Sequence, residues 1–317
     1  METSKLSHSD RDEIRNLIIA VIDSSKDYLF GKKEQITIST LALLTGRHIL
    51  LEDRPGMGKT TLVSYMAKIL NLSTGRVQFT SDLLPSDIIG TSIFSSKEDQ
   101  FKFRAGPIFN DLILADEINR APPKTQSALL QAMEEKSIDI DNETYDLSSK
   151  FIVFATQNPF GQIGTYPLPE SQLDRFGVKL DMGEMNFEQF DSLIQEENIR
   201  EKINKIESRY TMTDIKYYLN VIEQIHFSSK ISEYIFQLYQ YTINNEEFVP
   251  LSIRACQDLK TLSQAYALLH KREFVVLDDI QYLFPYVCSH RISNSSQLNR
   301  KEEIKHARQV LDHVKTP

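Results

Sequence analysis

The chain has 317 residues, which is enough for two domains of ordinary size, about 150 residues each. Hydrophobic residues (41%) and charged residues (25%) are present in normal globular proportion, which excludes disorder or a coiled coil as a description of the whole chain. The net charge of −8 disfavours nucleic acid as a partner, because an acidic surface repels phosphates.

The cysteines and the hydropathy pattern narrow the class of protein further. Cys256 and Cys288 lack the spacing of a disulfide framework or a zinc site, so we expect reduced thiols. No apolar run reaches the roughly 18 residues needed to span a bilayer, and the polar start of the chain lacks the core of a signal peptide. We therefore expect a cytoplasmic protein without a membrane span.

The first predicted element is an amphipathic helix within residues 1–28. Apolar residues recur at helical spacing after Ser9 and Asp10, which predicts that one face of the helix packs on the core. These residues are Ile14, Leu17, Ile18, Val21 and Ile22.

Residues 29–184 alternate short apolar runs with longer stretches compatible with helices. This alternation predicts an α/β domain with a five-stranded parallel sheet and helices on both faces. The runs are His48–Leu51, Arg76–Phe79, Leu112–Ala115, Phe151–Ala155 and Val178–Leu180. After residue 184 the apolar residues follow helical periods, which predicts a smaller all-α domain over residues 185–317.

Two polar inserts interrupt the α/β domain, at residues 91–104 and 137–149. Apolar residues alternate in both, as at Phe101 and Phe103 or at Ile138 and Ile140, which predicts small hairpins. Plain surface loops and elements that grip a partner both fit this pattern.

A glycine-rich segment follows the first apolar run and leads into a helix. It reads Asp53-Arg-Pro-Gly-Met-Gly-Lys-Thr60. Such a loop turns successive N–H groups inward beside a helix N-terminus and can cradle a polyphosphate. Lys59 would reach the β- and γ-phosphates, and the Thr60 hydroxyl would bind Mg²⁺. Asp53 stands where the usual pattern has glycine, so we expect its carboxylate to point away from the phosphates. The predicted nucleotide-binding residues here are Pro55, Gly56, Met57, Gly58, Lys59, Thr60 and Thr61.

Two acids, Asp116 and Glu117, follow the apolar run Leu112–Ala115. Acids at the carboxyl end of a parallel strand face the usual ligand crevice of an α/β sheet. Asp116 would support the Mg²⁺ shell through water, and Glu117 would polarise the attacking water. A helix-capping acid pair is the structural alternative.

Two later polar residues are also candidates for the site. The apolar run Phe151–Ala155 is followed by Thr156-Gln157-Asn158-Pro159. The amide of Asn158 could bind the γ-phosphate or the water, although Asn-Pro is also a common turn dipeptide. Arg175 could stabilise charge on the transferring phosphate, although an exposed Arg is more often solvated or ion-paired. An arginine supplied by a neighbouring subunit would imply an oligomer.

The order of these motifs resembles the MoxR family of AAA+ ATPases, over most of the chain from Phe30-Gly31 to about Ile292. The matching segments are Pro55-Gly-Met-Gly-Lys-Thr60, Ala115-Asp-Glu-Ile-Asn-Arg-Ala-Pro-Pro-Lys-Thr-Gln-Ser-Ala-Leu-Leu130, Ala155-Thr-Gln-Asn-Pro159 and Pro169-Glu-Ser-Gln-Leu-Asp-Arg-Phe176. The long second segment is the most specific of them. The resemblance implies an AAA+ core followed by a helical lid, with ATP and Mg²⁺ as cofactors.

The resemblance also implies residue roles. Lys59 and Thr60 would form the Walker A pair, Asp116 and Glu117 the Walker B pair, and Asn158 sensor 1. Arg175 would be an arginine finger acting on the next subunit. Arg254, in Ser252-Ile-Arg-Ala255, would be sensor 2 and contact the γ-phosphate of its own subunit. Gly31 would line the adenine side, or would simply be a helix C-cap.

Members of the family form rings, usually hexamers, and act as chaperone-like motors with partners that carry a von Willebrand factor A domain. The resemblance therefore implies ATP hydrolysis coupled to remodelling or maturation of a client complex that the sequence does not identify. A nucleotide-gated scaffold without significant turnover is the alternative. A small-molecule kinase or a nucleic-acid motor using the same loop is a third possibility.

Overall fold

The structure, a computed structural model, describes residues 8–54, 56–97, 99–158, 164–196, 198–208, 210–293 and 298–315. The strands are β1 (His48–Glu52), β2 (Thr74–Gln78), β3 (Gly90–Ser95), β4 (Gln100–Ala105), β5 (Leu112–Asp116), β6 (Ser137–Ile140), β7 (Glu143–Asp146), β8 (Ile152–Gln157) and β9 (Phe176–Leu180). The helices are α1 (His8–Ser24), α2 (Lys33–Leu44), α3 (Lys59–Ile69), α4 (Pro85–Ile89), α5 (Pro123–Glu135), α6 (Glu170–Leu173), α7 (Phe187–Gln195), α8 (Ile199–Asn204), α9 (Ile215–Ile222), α10 (Ser229–Ile243), α11 (Ile253–Leu269), α12 (Leu277–Val287), α13 (Ser289–Ile292) and α14 (Arg300–His313).

A five-stranded parallel sheet forms the centre of the α/β part, in the order β2-β5-β8-β1-β9. Each predicted apolar run falls on one of its strands, with ends shifted by at most two residues, so the predicted fold class is confirmed. The three central strands read as near-continuous apolar runs because both faces of a parallel sheet are covered. Their carboxyl ends share one edge of the sheet.

The two inserts form antiparallel hairpins, as predicted. One pairs β3 with β4 and the other pairs β6 with β7. The hairpins lie against each other, because the rings of Phe103 and Tyr145 are 4.3 Å apart between centroids and the Ser92 hydroxyl donates to the Asp141 carboxylate. In contrast, Phe94 and Phe101 stack edge to face on the outer side of the first hairpin and remain about half exposed or more.

Two apolar clusters hold the structure together. One lies between one face of the sheet and α4, α5 and the β6–β7 hairpin. The other joins the opposite face to α1 and α2 and continues into the helices after residue 199. All five predicted apolar residues of α1 are buried in it. The predicted domain boundary at residue 184 stays a prediction, since this cluster is continuous across it. No helix in the described ranges is long and apolar enough to cross a membrane.

Candidate functional site

The glycine-rich loop lies between β1 and α3. Gly56 and Gly58 have φ of +84° and +91°, a left-handed conformation that favours glycine. A Cβ built on Gly56 would meet nothing within 4 Å, so this backbone faces open space. Lys59 and Thr60 form the first turn of α3, where free N–H groups and the helix dipole attract anions. Pro55 lies outside the described residues.

Asp53, the residue in place of the first glycine, connects the loop to the segment after β9. Its carboxylate accepts from its neighbour Arg54 N at 2.7 Å and from Met182 N at 3.0 Å. The Asp53 carbonyl accepts from Lys59 Nζ at 2.6 Å. Burial lowers the pKa of Lys59 below its usual value, and nearby carboxylates, Asp53 first, offset this only in part. The acid therefore anchors the loop base.

Asp116 and Glu117 lie where β5 ends, next to the end of β8. Thr156 Oγ1 donates to Asp116 Oδ1 at 2.7 Å and accepts from Glu117 N at 2.9 Å. Arg76 Nη2 lies 3.0 Å from the other Asp116 oxygen. Glu117 has φ of +57°, rare for a residue with a side chain and common at sites where geometry is constrained. One threonine therefore fixes both acids.

The Glu117 carboxylate is held by three side chains. Asn158 Nδ2 donates to Oε1 at 3.0 Å, and Gln78 Nε2 and Arg120 Nε lie 3.2 and 3.0 Å from Oε2. Asn158 is buried, and its Oδ1 has no hydrogen-bond partner in the structure. A buried amide oxygen without a donor is costly, so it favours a ligand or water at this point. Glu117 and Asn158, both predicted for the site, are thus in direct hydrogen-bond contact.

A cleft of about 530 Å³ opens beside the loop. Its walls come from the segment before α2, the loop, the residues after β9, and α7 and α8. The cleft is lined by Tyr28, Leu29, Phe30, Lys32, Gly56, Met57, Gly58, Thr61, Met182, Met185, Leu193, Glu196, Asn198, Ile199, Arg200 and Glu201. The cleft is mainly apolar and includes charged side chains such as Lys32 and Glu196, as expected of a pocket for a small molecule or cofactor.

Gly31 does not lie where the resemblance implied, on the adenine side of the nucleotide site. Its neighbours Phe30 and Lys32 line the cleft, but Gly31 does not. Its φ is +68°, and a Cβ there would come within 2.2 Å of the Gln189 side chain. Gly31 is not a helix C-cap either, because the 3₁₀ turn Ser25–Asp27 before it is capped by Tyr28. Its left-handed φ instead forms a turn before α2 that favours glycine.

Arg175 and Arg254 share one carboxylate. Arg175 Nη2 lies 2.8 Å from Glu134 Oε2, and Arg254 Nη2 lies 2.7 Å from Glu134 Oε1. Arg254 above all, together with Arg175, holds the pKa of Glu134 below its usual range. The residues beside the two arginines are linked as well, because Ser252 Oγ caps α11 and donates to the Asp174 carboxylate at 2.7 Å. The two guanidinium groups are presented together.

This arginine pair lies at the opposite edge of the sheet from the loop. Arg175 precedes Phe176, which pairs in register with His48, the first residue of β1, whereas the loop follows the last. Glu134 adjoins Met133, whose carbonyl lies 3.2 Å from His48 Nε2. Roughly 13 Å of strand separates the two edges. The expectation that Arg254 contacts the γ-phosphate of its own subunit does not fit this placement, because α11 begins beside α5 and Asp174.

The side chains at the loop edge fit a nucleotide with Mg²⁺. The Thr60 hydroxyl and the Asp116 carboxylate are the oxygen ligands that Mg²⁺ prefers, directly or through water. The open space beside the Gly56 backbone leaves room for phosphates, and the buried Asn158 oxygen provides a polar group near them. Among the described residues, no group of three or more His, Cys, Asp or Glu residues could hold a metal by itself.

Several contributors were not predicted from the sequence. Thr156 lies in the segment Ala155-Thr-Gln-Asn-Pro159, but nothing in that segment predicts its contacts with Asp116 and Glu117. For Gln78, the only sequence feature that could have indicated a role in the site is its position at the end of a predicted strand. No sequence feature indicated a role for Glu134 or Met182, because their contacts join residues far apart in the chain.

The fold, the left-handed glycine loop and the acid pair at the end of β5 define a P-loop ATPase of the AAA+ class. Residues 48–178 match the model of the ATPase family associated with various cellular activities, and residues 249–313 match an AAA lid domain.

The chain is 40% identical to the uncharacterized protein YeaC of Bacillus subtilis over 97% of both chains. It is 32% identical to the chaperone MoxR1 of Mycobacterium tuberculosis, over 88% of this chain and 76% of that one. A crystal structure of a candidate ATPase from Cytophaga hutchinsonii matches with a TM-score of 0.80 and 34% identity, over 98% of this chain and 97% of that one. The chain belongs to the MoxR family of AAA+ ATPases.

Proposed function

We propose that this ATPase works as a ring whose subunits share catalytic sites and that hydrolysis drives remodelling of a partner protein. The observation that carries the proposal is the division of the site residues between opposite edges of the sheet. Lys59, Glu117 and Asn158 lie at one edge, and Arg175 with Arg254 lies at the other. A closed ring brings unlike edges of neighbouring subunits together.

In this proposal the loop edge binds ATP in the cleft. Lys59 and the first N–H groups of α3 bind the phosphates. Thr60, with Asp116 through water, holds Mg²⁺, which neutralises charge on the phosphates when bound. The buried position of Lys59 strengthens its attraction to phosphate, because little water screens the charge.

Glu117 orients and deprotonates the attacking water, with Asn158 beside it. Both oxygens of Glu117 are occupied by the three donors around it, so one contact must open before water can bind there. Asn158 is the partner suited to that exchange, because its own oxygen has no donor and can face the water. General-base work of this kind contributes about 10²–10⁴-fold in rate.

Arg175 and Arg254 act together on the γ-phosphate of the next subunit. Glu134 occupies both guanidinium groups in the single subunit, as a carboxylate in the position that a phosphate would take. Two guanidiniums suit an anion with several oxygens, because each can donate in a planar fork. An arginine supplied by a neighbour contributes about 10³–10⁵-fold in rate.

The hairpins supply a surface for the partner. Ile93, Phe94 and Phe101 are exposed on the first of them, which is unusual for apolar side chains in an element without another structural task. MoxR1 is a chaperone by name, which supports a client protein here. A hexameric ring and a partner with a von Willebrand factor A domain are parts of the proposal that rest on the family.

The catalytic assignment is tested with Glu117→Gln. We expect ATP to bind as it does to the wild type and phosphate release to fall at least about 10²-fold, because the amide cannot take a proton. Glu246→Gln, an exposed change in the loop between α10 and α11, is the matched control and should keep full activity. Near-normal hydrolysis by Glu117→Gln would remove this residue from the mechanism, and absent turnover in the wild type would favour the scaffold alternative.

The intersubunit assignment is tested with Arg175→Ala. Because Arg175 lies at the far edge of its own subunit, ATP binding should remain while hydrolysis falls by about 10³-fold or more. Arg308→Ala, an exposed arginine on α14, is the control. A loss of nucleotide affinity equal to the loss of rate would contradict the proposal, since it would mean contact within one subunit.

A further inference from the structure

Four charged side chains form a buried cluster behind the nucleotide loop. We call it the Lys179 cluster; it consists of Lys179, Glu52, Glu303 and Arg300. Lys179 Nζ lies 3.0 Å from Glu52 Oε2 and 2.7 Å from Glu303 Oε1. Arg300 Nη1 lies 3.2 Å from Glu303 Oε2, and its Nη2 donates to the Lys179 carbonyl at 2.7 Å. Two positive and two negative groups are thus buried together, and the more exposed Asp181 carboxylate lies 3.6 Å from Arg300 Nε.

The burial of this cluster is nearly complete. Lys179 and Glu303 are 0% exposed, and Glu52 and Arg300 are 6% and 7% exposed. Removing charges from water is expensive, and well-packed apolar side chains of the same volume are often as stable or more so. Stability by itself is therefore a poor explanation for four charges in this place, and a defined position for the groups they touch is a better one.

The cluster touches the site through Glu52. Glu52 ends β1 and directly precedes Asp53, the anchored base of the loop. Gln157 Nε2 also donates to Glu52 Oε2, and Gln157 directly precedes Asn158. One carboxylate therefore stands behind both the loop and Asn158, and Lys179 is its cationic partner.

The other half of the cluster belongs to the last described helix. Glu303 and Arg300 both lie on α14, and Arg300 also donates to Ser289 Oγ at 2.5 Å. Without Glu303, Lys179 would keep one carboxylate instead of two, and a cation in a dry site would move to satisfy itself. The position of α14 thus bears on Glu52 through a single lysine.

We propose that Lys179 is a positioning residue that ties the nucleotide loop and Asn158 to helix α14, so that ATP binding and the docking of α14 stabilise each other. The coupling runs both ways, because any change in ATP affinity caused by α14 equals the change in docking caused by ATP. The inference rests on the proposed nucleotide site, but its tests use ATP binding and α14 protection and do not require turnover.

The first experiment measures ATP affinity with Mg²⁺ for Lys179→Met and Glu303→Gln. Both should bind ATP at least about fivefold more weakly than the wild type, the lower range of typical couplings. The matched control is Lys301→Met. Lys301 is on the same helix and pairs with Glu184 at 2.8 Å, but both side chains are more than 85% exposed. Its affinity should stay within about twofold, as expected of a surface pair.

The second experiment separates positioning from stability. Lys179→Met combined with Glu303→Gln removes one positive and one negative charge, so the net charge of the Lys179 cluster stays at zero, whereas Lys179→Met alone leaves an excess buried carboxylate. We expect unfolding by urea to occur nearer the wild-type concentration than in Lys179→Met, while ATP affinity stays weak. Recovery of affinity together with stability would overturn the positioning role. If Lys179→Met does not fold, Glu303→Gln alone decides, and wild-type affinity in that variant overturns the proposal.

Hydrogen exchange gives the reciprocal readout. Adding ATP should slow amide exchange in residues 300–313 of the wild type, and this added protection should be lost in Glu303→Gln. Unchanged exchange of α14 in the wild type, at ATP concentrations that saturate the cleft, would overturn the coupling. Failure of ATP to bind the wild type at all would instead overturn the proposed function.

Discussion

The anchoring of the loop by Asp53 can be tested by comparing Asp53→Ala with Asp53→Asn. The alanine removes the acceptor for Met182 N and for Arg54 N, whereas asparagine keeps an oxygen in place without charge. A hydrogen bond to a charged group contributes about 1.5–3 kcal/mol, and a neutral one about 0.5–1.5 kcal/mol. Asp53 is partly exposed, so the lower ends of these ranges apply.

We therefore expect Asp53→Ala to lower the free energy of unfolding by about 1.5–2 kcal/mol and Asp53→Asn by about 1 kcal/mol or less. Equilibrium unfolding in urea, followed by circular dichroism, measures both. Asp53→Gly, which restores the usual residue, should resemble alanine or be worse, because Asp53 is not in a left-handed conformation. The anchoring role would be refuted if Asp53→Ala were as stable as the wild type. It would also be refuted if Asp53→Asn lost as much stability as Asp53→Ala.

Three further predictions concern pH, the acid pair and the turn at Gly31. Burial lowers the pKa of His48 to about 3, so the unfolded chain takes up a proton below pH 6.5 that the folded protein refuses. His48 alone should therefore lower the free energy of unfolding by about 1.4 kcal/mol per pH unit on acidification below pH 6.5, and the decline measured by urea unfolding should be less steep in His48→Gln. Thr156→Val should lower the rate of hydrolysis while ATP still binds, because Asp116 and Glu117 lose their shared partner, and Thr156→Ser should keep the rate. Gly31→Ala should lower the free energy of unfolding in urea by at least about 1 kcal/mol, because alanine is strained at the positive φ of this turn. An unchanged free energy of unfolding would contradict this role of Gly31.

The parts of the fold that follow local rules were predicted well from the sequence. Parallel strands are buried on both faces, so runs such as Leu112–Ala115 are recognisable without partners. The acids after that run and the glycines before Lys59 lie together because carboxyl ends of parallel strands share an edge. Asn158 joined them for the same reason.

Contacts across the chain were not predictable in this way. Arg254 was expected in its own site, but its position depends on how α11 packs beside Asp174, 78 residues away at the Ser252 contact. Lys179 is the one charged residue in the otherwise apolar strand β9. From the sequence alone, a lysine at this position would be expected to point to solvent. Its partner Glu303 lies 124 residues further along. Only the packed structure shows that the lysine is buried and paired.

The central claim is that each catalytic site combines Glu117 of one subunit with Arg175 of the next. It is tested most directly by mixing Glu117→Gln protein with Arg175→Ala protein, each inactive alone. In random mixed rings about one interface in four joins an intact Glu117 to an intact Arg175. The account predicts that ATP hydrolysis reappears on mixing, and a mixture as inactive as its components, in which the two proteins demonstrably co-assemble, would contradict it.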